Sequence, residues 1–480
     1  MLRSQVLARS LFSHCALLVG LAAGCLAGAS SSSALDFDRI VVFGDSLSDV
    51  GNDGKLSRDK YKVTFPGTNF NYTDGRFTSG KDTDPASKSY GGIWHEQLAK
   101  LYLGQDAVVN SLDNGFDYAY GGATTEDGAT TLKETLGGID VSLDVPNMGK
   151  QVNDYLARET PNATTLYILW GGANDLFNTP SNDVALAAAD RESALVQKLA
   201  EAGARRFLVP NLPPLGATPE FNRDATQAAA LTTYAANFRD QLNADLDTVT
   251  NNLSAQGIGV EIFRLDVYNL FGRLLKNPAA YGFANITNSA QGESAKADQY
   301  LFWDGVHPTA AGHYQLAAEA LTLLTGTPVM QIFPKPTQDG FYLTRSGVNI
   351  DSLVKVPFTL GGKAQSGRDY VTFKKDLRKL KPGKQTAQIK VQVTEEGAQA
   401  PAKQLKLTLT PNEAVEYVLS PANFAKIRVG PLSGVIVEGV DKADKIIDLS
   451  DFVMLPGTGS ELPDGDSGVV GGDAATGNGD

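Results

Sequence analysis

Four short apolar, β-rich runs, each stopped by a loop-forming residue and separated from the next by helical stretches, constrain this chain more than any other feature. Ile40 to Phe43 ends at Gly44, Leu166 to Trp170 at Gly171 and Gly172, Phe207 to Val209 at Pro210 and Asn211, and Val260 to Leu265 at Asp266. Tyr90 to Leu103, Ala185 to Ala202 and Ala225 to Leu253 carry helical patterning. Continuous apolar runs suit strands buried on both faces, and strands alternating with helices imply parallel pairing through crossovers that cover both faces of the sheet. The expectation is an α/β domain over residues 35–330. In such sheets ligands bind at the carboxyl ends of the strands. Ser46, just after the first run, and Asn174, just after the second, lie there.

Beyond Thr327 helical patterning yields to alternation, as in Ile389, Val391 and Val393 or Leu405, Leu407 and Leu409. This predicts a smaller all-β sandwich over residues 337–455, joined by a linker in Phe333 to Pro336 and followed by a disordered Gly- and Asp-rich tail, 456–480. A chain of 480 residues is long enough for two folded units.

Residues 1–34 read as a signal peptide: Arg3 and Arg9 lead, Ala16 to Gly24 form the apolar stretch, and small residues follow. Cleavage after Ala29 or Ala34 fits equally, and either removes both cysteines, Cys15 and Cys25. Ala22, Ala23, Gly24 and Cys25 also form a degenerate lipoprotein signal. The expected location is secreted or periplasmic, with a lipid anchor through Cys25 as the alternative. No later run approaches the roughly 20 apolar residues of a membrane span. The remaining chain is too short, and too poor in repeated membrane strands, for a following barrel to be expected.

The net charge of −12 argues against a nucleic-acid partner. The basic run from Lys374 to Lys384 reads as lysines on a strand edge or turn. Ser46, between a strand end and a helix start, needs a base, and only His95, His307 and His313 survive signal removal. His95 lies in an amphipathic stretch and reads as a helix-surface or capping residue. His313 reads as a helix residue facing polar surroundings. His307 lies in a loop three residues after Asp304, a spacing that lets the carboxylate receive the Nδ1 proton and turn Nε2 toward Ser46.

In four ordered blocks over residues 37–327 the chain resembles the GDSL, or SGNH, hydrolase family. They are Gly44 Asp45 Ser46 Leu47 Ser48 with Asp49, Gly51 and Asn52; Asp117 to Ala123; Gly171 to Asp175; and Asp304 to His307. Asn211 to Pro219 and Asn277 to Phe283 resemble secondary signatures. The resemblance implies a flavodoxin-like three-layer fold with a parallel sheet. It implies Ser46 as nucleophile, His307 and Asp304 as its partners, and an oxyanion hole of the Ser46 amide, the Gly122 amide and the Asn174 side chain. Gly121 competes with Gly122, and Asn174 also suits a helix cap. Asp45 and Asp49 would brace the loop. The second block departs from the family in opening with Asp117 where Asn is usual.

The implied reaction is two-step acyl transfer through acyl-Ser46, without metal or other cofactor. Lipid, phospholipid and acylated carbohydrate esters all stay open as substrates, with loops Lys55 to Thr73 and Thr124 to Gly137 as pocket walls. An acyltransferase on the same Ser-His-Asp site is the alternative, and a dead binding protein the third reading. The second domain resembles a Calx-beta or immunoglobulin-like sandwich in Ala364 to Tyr370, Pro382 and Gly383, and the I-K-V-Q-V run. Glu395 and Glu396 alone are too few for calcium. The sandwich would contact a polymer or cell surface, or only stabilise the enzyme. Nothing points to oligomerisation.

Overall fold

The computed structural model describes residues 37–80, 90–104, 108–136, 138–292, 294–347, 351–412 and 417–431. The expected signal, Cys25 and the Gly- and Asp-rich tail lie outside the described residues.

The sheet opens with β1 (Arg39–Gly44), and α1 (Asn52–Tyr61) follows the serine loop. The short α2 (Trp94–Leu98) runs on as one π turn through Leu103. A hairpin of β2 (Ala129–Leu136) and β3 (Ile139–Pro146) precedes α3 (Met148–Arg158) and β4 (Thr165–Trp170). Then come α4 (Ala173–Asn178), α5 (Asn182–Glu201), β5 (Arg206–Pro210), α6 (Ala225–Ala255), β6 (Glu261–Leu265) and α7 (Val267–Lys276). A small pair, β7 (Asn285–Ser289) and β8 (Tyr300–Phe302), leads into α8 (Ala310–Thr325).

Strands β1, β4, β5 and β6 pair in parallel in that order. On the free side of β1 residues 116–120 run alongside it, with Val42 N donating to Phe116 O at 2.9 Å and Tyr118 N to Val42 O at 2.8 Å. The chain thus leaves β1 to one side and later returns to the other, which makes the carboxyl end of β1 a topological switch point, the place at which open α/β sheets bind their ligands. Alternation across the sheet fills two cores. Val42, Leu166 and Ile168 face α2, α7 and α8, while Val41, Phe43, Tyr167 and Leu169 face α3, α5 and α6.

The smaller unit has β9 (Val329–Pro334), β10 (Gly340–Arg345), β11 (Val354–Gly362), β12 (Leu377–Leu380), β13 (Thr386–Lys390), one helical turn α9 (Glu395–Gln399), β14 (Lys403–Leu409), β15 (Val418–Leu419) and β16 (Phe424–Val429). Two sheets, ordered β13-β10-β9-β15 and β12-β11-β14-β16, pack face to face on Met330, Ile332, Phe341, Val356, Leu405 and Ile427. The first sheet also turns its other face to the α/β unit. Val329 and Phe333 join the core around α8, Gln331 and Gln315 exchange side-chain hydrogen bonds at 3.0 Å, and Arg273 meets Glu319 at 2.6 Å beneath Gly347, whose amide donates to Glu319 at 2.8 Å.

Four expectations change here. The linker expected in Phe333 to Pro336 is entered by β9, whose first five residues are buried because both of their faces are covered, so no alternation marks it as a strand. His313 does not face polar surroundings: α8 is wrapped by the sheet, α2 and β9, and 14 of its 16 residues are buried. His95 is not on a helix surface, since all five residues of α2 are buried. The Thr124 to Gly137 segment, expected as a loop wall, enters a hairpin whose Leu132 and Leu136 join Val141, Leu143 and Val145 over Tyr120.

Candidate active site

The last residue of β1 has to be glycine, because a Cβ on Gly44 would stand 2.5 Å from Trp170 O. Gln151 holds this strand end from α3, accepting from Gly44 N and donating to Gly44 O, both at 2.9 Å. The chain then turns sharply. Asp45 O accepts from Ser48 N and Asp49 N at 3.0 Å, and Asp45 Oδ1 accepts from Leu47 N at 3.0 Å. Asp49 caps the entry to α1 by accepting from Gly51 N and Asn52 N at 2.7 Å and Asp53 N at 3.2 Å. The two carboxylates brace the loop, and burial, which leads all other causes, pushes each up to about 7.

Ser46 Oγ lies 2.8 Å from His307 Nε2, and His307 Nδ1 lies 2.7 Å from Asp304 Oδ2. The spacing works because residues 304–307 wrap around one carboxylate: Asp304 Oδ1 accepts from Val306 N at 2.9 Å and His307 N at 2.8 Å, and Trp303 N donates to His307 O at 2.7 Å. Burial alone would raise Asp304, but the charge and hydrogen bond of His307 and the two amides outweigh it and hold the carboxyl down at about 2. Asp304 therefore stays ionised and acceptor-only, so Nδ1 carries the ring proton and Nε2 presents a lone pair to the serine. This arrangement can remove the hydroxyl proton as the oxygen attacks.

The sequence reading missed the segment that props the histidine. Tyr72 donates to Asp304 Oδ2 at 2.8 Å, Phe77 lies against the His307 ring at 5.0 Å, Thr78 donates to Pro308 O at 3.0 Å, and Ala310 N donates to Ser79 Oγ at 2.9 Å. Burial, followed by the Asp304 charge, drives the Tyr72 phenol well above its ordinary range, so it remains a donor. No motif announces these contacts, which join positions more than 200 apart.

Asn174 and Gly122 come into one neighbourhood through Ala123, whose carbonyl accepts from Asn174 Nδ2 at 2.9 Å. Asp175, next to Asn174, accepts from Thr125 N at 3.0 Å, Thr125 Oγ1 at 2.7 Å and Arg191 at 2.8 Å, which fixes the start of α4 against the second block. The two glycines differ. Gly121 N turns inward to Asp49 Oδ2 at 3.4 Å, whereas Gly122, at φ 73°, and Ser46 have backbone amides without a partner among the described residues.

His95 is sealed beneath this loop. Its Nε2 lies 2.9 Å from Ser48 O and 3.3 Å from Asp117 Oδ2, while Trp94 Nε1 donates to Ser48 Oγ at 3.3 Å. A carbonyl only accepts, so Nε2 carries a proton. Burial opposes the imidazolium, but Asp117 and the Ser48 carbonyl outweigh it and raise the His95 pKa. Asp117 Oδ1 accepts from Ala119 N at 2.7 Å, and Asn52 donates to Asp117 O and Ala119 O at 2.9 and 2.8 Å. The aspartate at the head of the second block thus has a buried histidine as its counterpart. Among the described residues no group of three His, Cys, Asp or Glu is arranged to hold a metal ion.

The GDSL-like Lipase/Acylhydrolase family profile matches residues 40–320. A GDSL esterase/lipase of Arabidopsis thaliana is 26% identical over 345 residues, 61% of this chain and 91% of that protein. The thermolabile hemolysin of Vibrio parahaemolyticus is 27% identical over 314 residues, 59% of this chain and 63% of that one. A crystal structure of a lipolytic G-D-S-L family protein from Veillonella parvula covers 59% of this chain and 96% of its own, with 13% identity and a TM-score of 0.30. With more than half of its length matched by the family profile, the chain belongs to the GDSL-like lipase/acylhydrolase family.

Proposed function

We propose that this protein is a carboxylic ester hydrolase that works through an acyl-Ser46 intermediate. The observation that carries the reading is the pair of contacts at 2.8 and 2.7 Å that links Ser46 Oγ, His307 and Asp304. Ser46 Oγ attacks the acyl carbon as its proton passes to His307 Nε2, and the same proton then goes to the leaving alcohol. Water attacks the acyl-enzyme, gives a proton to Nε2, and Ser46 leaves as the hydroxyl. The Ser46 and Gly122 amides and the second Asn174 amide hydrogen receive the oxyanion, for which loss of one donor typically costs ~10² to 10³ in turnover. Substrates are lipid, phospholipid or acylated carbohydrate esters. Residues 1–34 act as an export signal, giving a secreted or periplasmic protein.

The test is hydrolysis of p-nitrophenyl esters from acetyl to palmitoyl by the mature protein and its Ser46→Ala variant. Activity should fall by ~10⁴ or more in the variant. Equal activity in both would refute Ser46 as nucleophile. Acyl transfer to an added alcohol in preference to water would replace the hydrolase reading with the acyltransferase one.

A further inference from the structure

The charge of this chain is distributed unevenly between its two units. Residues 35–328 hold 22 Lys and Arg against 36 Asp and Glu, whereas residues 329–430 hold 16 against 8. A chain of net charge −12 thus carries a unit of net charge +8.

The fold sets five of these cations on one sheet face. The sheet β13-β10-β9-β15 spends its outer face on the α/β unit, through Val329, Gln331 and Phe333. The sheet β12-β11-β14-β16 turns Val354, Val356, Leu405, Leu407 and Ile427 into the sandwich core. Its alternate residues face outward, and among these are Lys355, Lys379, Lys406, Lys426 and Arg428. None of the outward positions on these four strands is Asp or Glu, and none of the five cations forms an ion pair among the described residues.

Their registry works against stability. Lys355 lies directly opposite Lys379, and Lys406 directly opposite Lys426. Like charges directly opposed across strands are destabilising, so the two pairs cost the isolated sheet something. Lysines that merely guard an edge against aggregation belong on β12 and β16, yet Lys355 and Lys406 sit on the two central strands.

We propose that this face is a docking surface for an anionic phospholipid bilayer. A pleated sheet face offers no groove, and its charges are mainly compact lysine ammoniums rather than the bidentate forks that select single phosphates. The one aromatic ring on the face, Phe424, has the Lys406 and Lys426 ammoniums at 4.4 and 5.9 Å from its centroid, so it offers no bare platform for a sugar ring. An extended negative plane matches all five cations at once and relieves both like-charged pairs. The acidic α/β unit would be repelled by the same plane, which leaves the sandwich as the part that touches it.

The experiment is sedimentation of the full protein carrying Ser46→Ala with vesicles of phosphatidylcholine, alone or with about a third phosphatidylglycerol. Because Ser46→Ala removes turnover, the result does not depend on the hydrolase reading. Binding should require the anionic lipid, persist at about 0.1 M salt and vanish at about 1 M, where the Debye length falls to about 3 Å. Replacing Lys355, Lys379, Lys406 and Lys426 together by Thr, a good strand former, should weaken binding by about fivefold per lysine. In the Ser46 background the same four substitutions should leave turnover of a soluble ester and thermal stability no lower than in the parent. Equal binding with and without phosphatidylglycerol, or undiminished binding by the folded quadruple variant, would overturn the proposal. Retention on dextran sulfate with none on the anionic vesicles would overturn it too, in favour of an anionic polymer.

Discussion

His307 and His95 each set a ring nitrogen against an aspartate, Asp304 at 2.7 Å and Asp117 at 3.3 Å, but the remaining nitrogens meet different fates. His307 uses Nδ1 for its carboxylate and keeps Nε2 for the Ser46 hydroxyl, with its side chain 14% exposed. His95 uses Nε2 for both Asp117 and the Ser48 carbonyl, is wholly buried, and leaves Nδ1 with no partner among the described residues. A histidine and aspartate in contact are therefore not yet a base. The second nitrogen must also reach a transferable proton where substrate can enter, and otherwise the same pair is a clamp on the backbone.

The sharpest way to break this contrast is to remove each ring in turn. Replacing His307 with Ala should lower kcat/KM for a soluble ester by ~10⁴ or more while the protein stays folded. His95→Ala should instead cost about 3–5 kcal/mol in urea unfolding, because Asp117 is left as an uncompensated buried carboxylate. If the two variants lose turnover equally at full folding, the clamp reading of His95 is wrong.

A third ring extends the comparison. His313, buried and without a partner on either nitrogen among the described residues, is held down at about 3 by burial first, helped by the positive charge of His307 and His95. The folded state refuses a proton that the unfolded chain accepts near 6.5. Its contribution is thus intact above pH 6.5 and is lost progressively as pH falls toward 3. His313→Leu should remove up to about 1.4 kcal/mol of that loss per pH unit, read as the difference between variant and parent in urea midpoints from pH 7 to 4. Parallel pH curves would sink it.

The smallest effect concerns the prop behind Asp304. Tyr72→Phe removes one hydrogen bond to a carboxylate and should cost about 1.5 kcal/mol of stability, with a loss of turnover far below that of His307→Ala. A loss as large as that of His307→Ala would move Tyr72 from support into the reacting group.

What could be read in the sequence was what is encoded over a few adjacent residues. The strand that ends at Gly44, the serine after it, and the carboxylate three residues before His307 are local patterns, and each has a local hydrogen-bond cause. The burial of His95 and His313 was not legible, because it depends on what covers α2 and α8 from elsewhere in the chain. Tyr72 and Asp304 meet across 232 positions, with no spacing rule to join them. β9 escaped for a related reason. Strand patterning is legible when one face is wet, and both faces of β9 are dry.

That strand also decides how the molecule can be taken apart. Val329 and Phe333 belong to the core around α8, and Met330 and Ile332, in between, to the core of the sandwich. A gene truncated after Thr325 would leave Gln315 and the apolar side of α8 open to water on the helix that directly follows the His307 loop. The sandwich is accordingly a party wall rather than an annexe. Heating should melt both units in one calorimetric transition, and the α/β half expressed alone should be recovered poorly even though every residue of the Ser46, His307 and Asp304 set is still present.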